Sequence, residues 1–573
     1  MAPKIYYAPR YYQYPNLDLL TLLFDSPHAL SVPTSKLHID AANPSTNYLT
    51  KRHCHALLES LAHTLRHHFQ IGASGPNKDV IVACSALQIL LPIAFYGTIA
   101  AGGIFSTASH SFTAEELARQ VSQGDGKVVI VSEELRETGI EAARIVGWDD
   151  ARIEERVLVL ESEPGKWGLR TAVEGKVVWA PNADEDVAEK EKKRLTWTRI
   201  TDADELGDSI ISLLYSSGTT GQPKAVMLSH RMMVSQVYIS SQVAREWALP
   251  RVLTGELVPS PQRTLAHLPA AHIAGVAGYF VGPVYSGMEC YWMRKYTWKK
   301  FLEYNKQHKI TAFFTVPAIW ARIAKSPDVA DHFASLEGGL GGAAPLDANL
   351  QNAAGKRANI QLGGTYGMSE TTGSVLTLPR GMEDTTGSVG IPHPNCIFRL
   401  IDDDGNDVAE GEPGELLVQT PTMTKGYYKN PEATKGAFID GWYCTGDILQ
   451  QRGERGLWYV TDRKKELIKY KGIQVAPAEI EGLLLSHPLI EDAAVIGVEG
   501  EGTEVPRAYV VADKNKISEQ EIKGLVAEKL AAYKQLRGGV VYIDEIPRSA
   551  VGKILRRELR DLAAKSSQPR AKL

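Results

Sequence analysis

Residues 215–230 read YSSGTTGQPKAVMLSH, and the fold of the chain is predicted outward from them. Just before them, the apolar run at 210–214 predicts a buried strand. Towards and beyond the end of this stretch, the apolar spacing of Val226–Val237 predicts a helix. The stretch is therefore interpreted as a flexible, hydroxyl-rich loop that joins a strand to a helix.

The composition of this loop is typical of a phosphate-binding loop. Gly218 and Gly221 allow the backbone to approach a ligand closely, and exposed N–H groups can surround an anion. Lys224 adds a positive charge. The hydroxyl donors are Ser216, Ser217, Thr219 and Thr220. The pair Pro223-Lys224 departs from the Walker A pattern, and the alternative is a mobile surface loop rich in glycine and serine.

The chain of 573 residues is long enough for several domains, or for one large and one small domain. Its 44% hydrophobic and 23% charged residues are ordinary for a soluble globular enzyme. A formal net charge of −4 gives no reason to expect nucleic acid or an anionic membrane as a partner. Five cysteines without CxxC spacing argue against a disulfide framework or a zinc site, and they fit a reducing compartment.

Short apolar runs alternate with helical stretches between residues 80 and 160, which predicts a doubly wound α/β sheet. The predicted strands are Val80–Ala83, Val128–Val131 and Val157–Leu160, and Ala114–Gln123 is a predicted helix. The uncharged run Val80–Ser109 is long enough to span a bilayer. Its polar, proline and glycine residues favour a strand followed by a buried helix, so no membrane span is expected. No signal peptide is expected either.

Four further stretches resemble motifs that accompany such a loop in a known family. They read YGMSE at 366–370, TGD at 445–447, DRKKELIKYKGIQ at 462–474 and PRSAVGK at 547–553. Together with SSGTTGxPK, and in the same order, they resemble the motifs of the adenylate-forming superfamily. That superfamily includes acyl-CoA synthetases, 4-coumarate–CoA ligases, peptide-synthetase adenylation domains and beetle luciferases. The resemblance implies an α/β fold, with a large N-terminal domain of doubly wound sheets at 1–461 and a small, mobile α+β domain at 462–573.

The resemblance also implies which residues hold ATP and Mg²⁺. Tyr366 would stack under the adenine, Asp447 would accept from both ribose hydroxyls, and Arg463 would reach the ribose. Glu370 would bind Mg²⁺, with Thr219 as a second metal ligand. The other implied nucleotide contacts are Ser216, Ser217, Gly218, Thr220, Gly221, Lys224, Gly342, Ala343, Ala344, Gly364, Thr365, Gly367 and Ser369. The pair Gly364-Thr365 departs from the Gln-Gly that is common in coumarate ligases.

A second set of residues is implied in the later half-reaction, in which CoA takes part. Lys469 and Gln474 would face the site in that step, and Lys471 and Gly472 would line the path of CoA. The family hinges its small domain at the position of Lys465. The small domain would rotate there between two rigid arrangements.

The resemblance assigns the adenylation lysine to Lys553, which would contact the substrate carboxylate and the α-phosphate. His272, in LPAAHIAG, would lie beside the acyl pocket, and the alternative is a hydrogen-bonded core histidine. Residues 265–280 contain no Asp or Glu, which disfavours an α-amino acid substrate. Small residues suggest room for an apolar or aryl group, namely Ala270, Ala271, Gly275, Gly342, Gly363 and Gly364.

The function implied is that of an acid–thiol ligase. It would use ATP to convert an aryl, arylalkanoic or medium-chain fatty acid into acyl-AMP and pyrophosphate, and then transfer the acyl group to CoA. The alternatives are a stand-alone adenylation enzyme that loads a carrier protein, a luciferase-like oxygenase, and a non-catalytic nucleotide-binding regulator. No carrier segment is expected after Leu573.

The C-terminal residues Ala571-Lys572-Leu573 resemble the peroxisomal Ser-Lys-Leu address. They follow a polar stretch, KSSQPR, that is expected to be exposed. Peroxisomal localisation through an import receptor is therefore expected, and a cytoplasmic location is the alternative.

Overall fold

A computed structural model describes residues 4–181, 193–216, 223–464, 466–471, 473–500, 502–549 and 552–567 of the chain. An eight-stranded sheet lies in the N-terminal half of these residues. From edge to edge its strands are Lys224–Ser229, Ile210–Ser216, Ile104–Ala108, Val80–Cys84, Gly126–Val131, Val157–Glu161, Gly168–Thr171 and Val177–Trp179. The central strands pair in parallel, and the outer strands pair antiparallel with their neighbours.

The central strands of this sheet are buried on both faces. Ile81 and Ala83 pack in one hydrophobic cluster, whereas Val80 and Val82 pack in another, because successive side chains of a strand point to opposite faces. The helices that cover the two faces are Lys51–Phe69, Leu91–Ala100, Ala114–Gly124, Arg136–Val146 and Asp150–Arg156. The predicted doubly wound α/β sheet is confirmed.

The predicted strands within 80–160 and the predicted helix Ala114–Gln123 are also confirmed. The run Val80–Ser109 folds as the strand Val80–Cys84, the helix Leu91–Ala100 and the strand Ile104–Ala108. Across the described ranges, every helix is too short or too polar to cross a membrane.

The prediction for the segment after the glycine-rich loop is wrong at its start. Lys224–Ser229 is a strand that pairs antiparallel with Ile210–Ser216, so the loop joins two strands of a hairpin. The helix begins only at His230, where the hydroxyl of Ser229 accepts a hydrogen bond from the N–H of Met232. A short apolar run cannot be assigned to helix or strand by its spacing alone, and here pairing with the neighbouring strand decides.

Three more sheets complete the part of the chain up to Arg463. A four-stranded sheet contains Arg263–Ala266, Glu289–Trp292, Lys36–Asp40 and Tyr48–Thr50, in that order. A five-stranded sheet contains Ala312–Thr315, Gly338–Gly341, Leu362–Met368, Gly373–Thr377 and Ile391–Pro392, in that order. An antiparallel sheet contains Tyr6–Tyr7, Ile397–Ile401, Gly414–Gln419, Trp442–Arg452 and Phe438–Ile439, and Leu457–Arg463 pairs with Trp442–Arg452.

Shorter and longer helices connect these sheets. They are Thr21–Asp25, Glu133–Leu135, Ala203–Asp208, His230–Leu253, Ile273–Gly275, Val276–Val281, Gly282–Ser286, Trp298–Gln307, Pro317–Lys325, Ala348–Ala358, Ser369–Thr371 and Pro431–Lys435. Of these, Thr21–Asp25 and Val276–Val281 are π-helical, and Glu133–Leu135 and Ser369–Thr371 are single 3₁₀ turns.

The C-terminal part is a small α+β unit with its own hydrophobic core, which includes Ile480, Val495 and Val510. Its strands are the hairpin Ile468–Tyr470 and Ile473–Val475, and the sheet Ile490–Glu499, Glu504–Ala512 and Val540–Tyr542. Its helices are Pro477–Ser486, Glu519–Lys529, Ala532–Lys534 and Arg556–Ser567. The predicted boundary after residue 461 falls inside the strand Leu457–Arg463, and Lys465 lies outside the described residues.

Candidate active site

A cavity of about 600 Å³ lies where the five-stranded sheet, the antiparallel sheet and the C-terminal part meet. The predicted site residues that line it are Ala343, Ala344, Thr365, Tyr366, Gly367, Asp447, Arg463 and Lys553. The parallel strands Gly338–Gly341 and Leu362–Met368 bring the first five of these residues to one edge of a sheet. The fold thus brings together motifs that are far apart in the sequence.

Asp447 is held by two partners on the wall of this cavity. The Oη of Tyr366 donates a hydrogen bond of 2.8 Å to Oδ2 of Asp447. The Nε of Arg463 lies 3.4 Å from Oδ1, because the two residues face each other in paired strands. Burial raises the pKa of the Asp447 carboxyl, and the Arg463 charge acts in the opposite direction. A carboxylate oriented in this way can accept hydrogen bonds from a diol.

Lys553 reaches the cavity from the C-terminal part. Its loop is closed by hydrogen bonds from the N–H of Ser549 to the carbonyl of Lys553 (2.8 Å) and from the N–H of Lys553 to Oγ of Ser549 (3.2 Å). Gly552, with a φ of +77°, makes the turn just before the lysine. Burial lowers the pKa of Lys553 to about 8, against the opposing effect of the carboxylates of Asp447 and Glu370. The side chain is half-buried, and at neutral pH it is a cation.

Glu370 lies in the turn Ser369–Thr371, and its side chain is nearly buried. Its Oε1 accepts a hydrogen bond of 3.1 Å from the hydroxyl of Tyr427. Within the described ranges, no cluster of three His, Cys, Asp or Glu side chains could hold a metal ion. Mg²⁺ at a nucleotide needs only one or two carboxylates, because phosphate oxygens and water complete its coordination. A single buried carboxylate fits that requirement.

His272 caps the short helix Ile273–Gly275, and its Nδ1 accepts a hydrogen bond of 3.3 Å from the N–H of Ala274. Burial, and the nearby charge of Lys553, lower the pKa of His272 to about 3. The imidazole is therefore neutral near the charge of Lys553. One helical turn further on, a Cβ at Gly278 would meet no atom within 4 Å, so open space lies next to this segment.

Most of the predicted phosphate loop lies outside the described residues, namely Ser217, Gly218, Thr219, Thr220 and Gly221. The two residues that flank the loop face each other, because Ser216 pairs with Lys224 across the hairpin. The Nζ of Lys224 lies 5.0 Å from the ring centroid of Tyr427.

Several predicted residues lie away from the cavity. A Cβ at Gly364 would come within 2.2 Å of the carbonyl oxygen of Ser388, and one at Gly342 would come within 2.8 Å of the Thr365 carbonyl. The small size of these glycines therefore serves close packing. Ser369 is buried in its turn.

Of the residues predicted for the CoA step, Lys469 and Lys471 are exposed on the hairpin of the C-terminal part. Gly472 and the side chain of Gln474 lie outside the described part of the chain.

Other residues at the site carry no motif that could have marked them in the sequence. The Nη2 of Arg556 donates to both carboxylate oxygens of Glu481 at 2.7 and 2.8 Å, and both residues line the cavity. Lys325 joins the two parts of the chain, since its Nζ donates to the carbonyls of Leu485 (2.9 Å) and Ile490 (3.0 Å). Only tertiary structure reveals such contacts, which join residues far apart in the chain.

Comparison with known proteins identifies the family to which this chain belongs. The sequence models of the AMP-binding enzyme family and of its C-terminal domain match residues 33–428 and 479–553. A protein of Emericella nidulans, provisionally named an acyl-coenzyme A synthetase, is 45% identical over 99% of this chain and 100% of its own. The phenylacetyl-CoA ligase of Aspergillus niger is 33% identical over 96% of this chain and 97% of its own.

Solved structures show the same fold. An anthranilate CoA ligase in complex with anthranoyl-AMP superposes with a TM-score of 0.77 at 22% identity, covering 98% of each chain. ATP-bound MatB from Rhodopseudomonas palustris superposes with a TM-score of 0.77 at 24% identity, covering 96% of this chain and 99% of its own. The chain belongs to the family of AMP-binding enzymes, as an ATP-dependent, AMP-forming acyl-CoA ligase.

Proposed function

We propose that this ligase acts on a hydrophobic carboxylic acid, of the aryl, arylalkanoic or medium-chain fatty class, and that it uses Mg²⁺ with ATP. One observation supports the proposed site above all: the half-buried ammonium of Lys553 shares a cavity with Asp447 and lies within electrostatic range of Glu370. A fixed cation in a cavity that excludes bulk water stabilises negative charge in a transition state far better than a solvated one.

In the first step, a carboxylate oxygen of the acid attacks the α-phosphorus of ATP. A new O–P bond forms as the bond to the bridging oxygen breaks, which yields acyl-AMP and pyrophosphate. Lys553 stabilises the negative charge that gathers on the reacting groups, while Asp447 and Tyr366 orient the ribose and the adenine. His272 is neutral, so it adds no positive charge that would compete with Lys553 for the acid. Glu370 would hold Mg²⁺ when the ion is bound, and the ion would neutralise phosphate charge.

In the second step, the sulfur of CoA attacks the acyl carbonyl carbon. A C–S bond forms, the bond from carbon to the AMP oxygen breaks, and the thiol proton passes to solvent. Lys469 and Lys471 lie exposed on their hairpin in the arrangement described above. Rotation about Lys465 would bring this hairpin to the cavity and withdraw Lys553, as in other proteins that switch between two rigid arrangements.

The space for the acyl group supports a hydrophobic acid. Ala274, Ala277 and Gly278 are half-buried, and a side chain at Gly278 would meet open space. No acidic residue occurs in 265–280 that could pair with an amino group. The names of related enzymes, a phenylacetyl-CoA ligase and several 4-coumarate–CoA ligases, agree with an aryl-bearing acid.

The test is acid-dependent pyrophosphate release by the purified protein with MgATP. The panel would contain phenylacetate, cinnamates, benzoates, fatty acids of increasing length, and amino acids as a negative set. We expect release with the hydrophobic acids and a CoA thioester when CoA is added. Release without any thioester would favour the carrier-loading alternative, and no release with any acid would overturn the proposal.

We further propose that the protein is imported into peroxisomes through Ala571-Lys572-Leu573, a tripeptide that lies outside the described residues. A fluorescent protein fused ahead of the full chain should be found in peroxisomes. Deletion of Leu573 should leave it in the cytoplasm, and an unchanged location after the deletion would contradict the proposal.

A further inference from the structure

The segment 424–428 connects two parts of the ATP site through its backbone. The N–H of Thr424 donates a 2.7 Å hydrogen bond to the carbonyl of Glu370. The N–H of Tyr428 donates a 2.8 Å hydrogen bond to the carbonyl of Ala225, which directly follows Lys224. One end of the segment is therefore fixed to the turn that carries the acidic residue, and the other to the strand that leaves the phosphate loop.

The side chain of Tyr427, in the middle of this segment, is bonded to Glu370. Its hydroxyl lies 3.1 Å from Oε1 of Glu370 and 3.3 Å from the hydroxyl of Tyr443. Each hydroxyl has one proton to donate. The carboxylate can only accept, so Tyr427 donates to Glu370 and accepts from Tyr443. This chain of two hydroxyls sets the direction in which the nearly buried carboxylate points.

The ring of the same tyrosine contacts the lysine of the phosphate loop. The Nζ of Lys224 lies 5.0 Å from the centroid of the Tyr427 ring, which is within the range of a cation–π interaction. No carboxylate in the described part of the chain forms an ion pair with Lys224, so the ring is the partner that restrains it there. A restrained lysine needs less ordering when a phosphate binds.

We infer that Tyr427 is a positioning residue that orients two groups for one ligand: its hydroxyl orients Glu370 for the metal ion, and its ring orients Lys224 for the phosphates. This inference rests on the proposed roles of Glu370 and Lys224. Substitutions can remove the hydroxyl alone, or the hydroxyl together with the ring.

Two variants test the two ends. Tyr427→Phe removes the hydroxyl and keeps the ring, whereas Tyr427→Leu removes both. The matched control is Tyr428→Phe, since the hydroxyl of Tyr428 makes no hydrogen bond within the described ranges and its ring contacts Lys429 instead. ATP binding would be measured by calorimetry over a series of Mg²⁺ concentrations, and pyrophosphate release would be measured in parallel. Thermal unfolding of each variant checks that it is folded.

Tyr427→Phe should raise the Mg²⁺ concentration for half-maximal ATP binding about three- to tenfold, the typical net effect of one hydrogen bond. Its ATP affinity at saturating Mg²⁺ should match that of Tyr428→Phe. Tyr427→Leu should weaken ATP binding at saturating Mg²⁺ by a further factor of about three to ten.

A Mg²⁺ requirement of Tyr427→Phe equal to that of the control would overturn the role of the hydroxyl. Equal ATP affinities of the Phe and Leu variants would overturn the role of the ring. If the wild-type protein itself neither binds MgATP nor releases pyrophosphate, the proposed function fails instead.

Discussion

The hydroxyl of Tyr366 donates a 2.8 Å hydrogen bond to the Asp447 carboxylate, although the two residues are 81 positions apart. The bond orients the carboxylate before any nucleotide arrives. Tyr366→Phe keeps the ring that would face adenine and removes this bond. We expect ATP binding to weaken about three- to tenfold, with little change in kcat. Calorimetric titration with ATP measures the change in affinity. A loss in kcat at unchanged ATP affinity would contradict the prediction.

The charge of Lys553 should control the first half-reaction. Lys553→Ala removes the cation and should slow acid-dependent pyrophosphate release about 10²–10³-fold, by analogy with the loss of one oxyanion donor. Unfolding curves of the variant and of the wild type should agree closely, because the side chain faces the cavity. Adenylation at the wild-type rate would reject the assigned role.

The lowered pKa of Lys553 also predicts a pH dependence. Below about 8 the ammonium is protonated, and above that value the charge is lost, so kcat/KM for adenylation should fall as pH rises through this range. Lys553→Arg carries a guanidinium that stays charged throughout, so its slower reaction should not fall there. The profiles are measured by pyrophosphate release between about pH 6.5 and 9.5. A decline shared equally by both proteins would assign the ionisation to another group.

Lys325 should favour the arrangement in which Lys553 occupies the cavity. Its ammonium donates to two carbonyls of the C-terminal part, and the proposed rotation of that part would break these bonds. Lys325→Met should therefore lower the adenylation rate about three- to tenfold and should not slow thioester formation from supplied acyl-AMP. Lys299→Met, at a side chain that is 88% exposed, is the control. Equal slowing of both half-reactions by Lys325→Met would argue against this role.

A substitution at the predicted hinge should slow the second half-reaction more than the first. Lys465→Pro should slow thioester formation from supplied acyl-AMP more than it slows adenylation, because proline fixes φ at the residue where rotation is expected. Stopped reactions with acyl-AMP and CoA, analysed by chromatography, measure the second step alone. Equal losses in both steps would refute the hinge position.

Gly278 offers a test of where the acyl group lies. Gly278→Leu places a side chain in space that is open within 4 Å, so the largest acids of the panel should lose about tenfold in kcat/KM relative to the smallest. Gly524→Leu is the matched control, since it too is a helical glycine with no atom within 4 Å of an added Cβ. A uniform loss for all acids would place the acyl group elsewhere.

The sequence predicted the sheet well where burial alone decides. Val80–Ala83 is apolar throughout because both faces of its strand are covered, and the alternation of such runs with helical stretches favoured a strand. The segment from Val226 was predicted wrongly because its own spacing fits both a strand and a helix, and pairing with the preceding strand of the hairpin decides between them. The same contrast between local pattern and long-range contact holds at the site. Motif residues such as Tyr366 could be predicted because their sequence resembles a family motif. The hydroxyl of Tyr427 and the ammonium of Lys325 act through long-range contacts that no local pattern contains.

The pairing of Asp447 with Arg463 in adjacent strands has a consequence for the direction of the reaction. Both residues precede position 465, whereas Lys553 follows it. Rotation there would leave the adenylate intermediate bound in place and remove the lysine that helped to make it. Pyrophosphate would then meet an intermediate without the catalyst for the reverse reaction, so the same movement that admits the thiol would commit the enzyme to product.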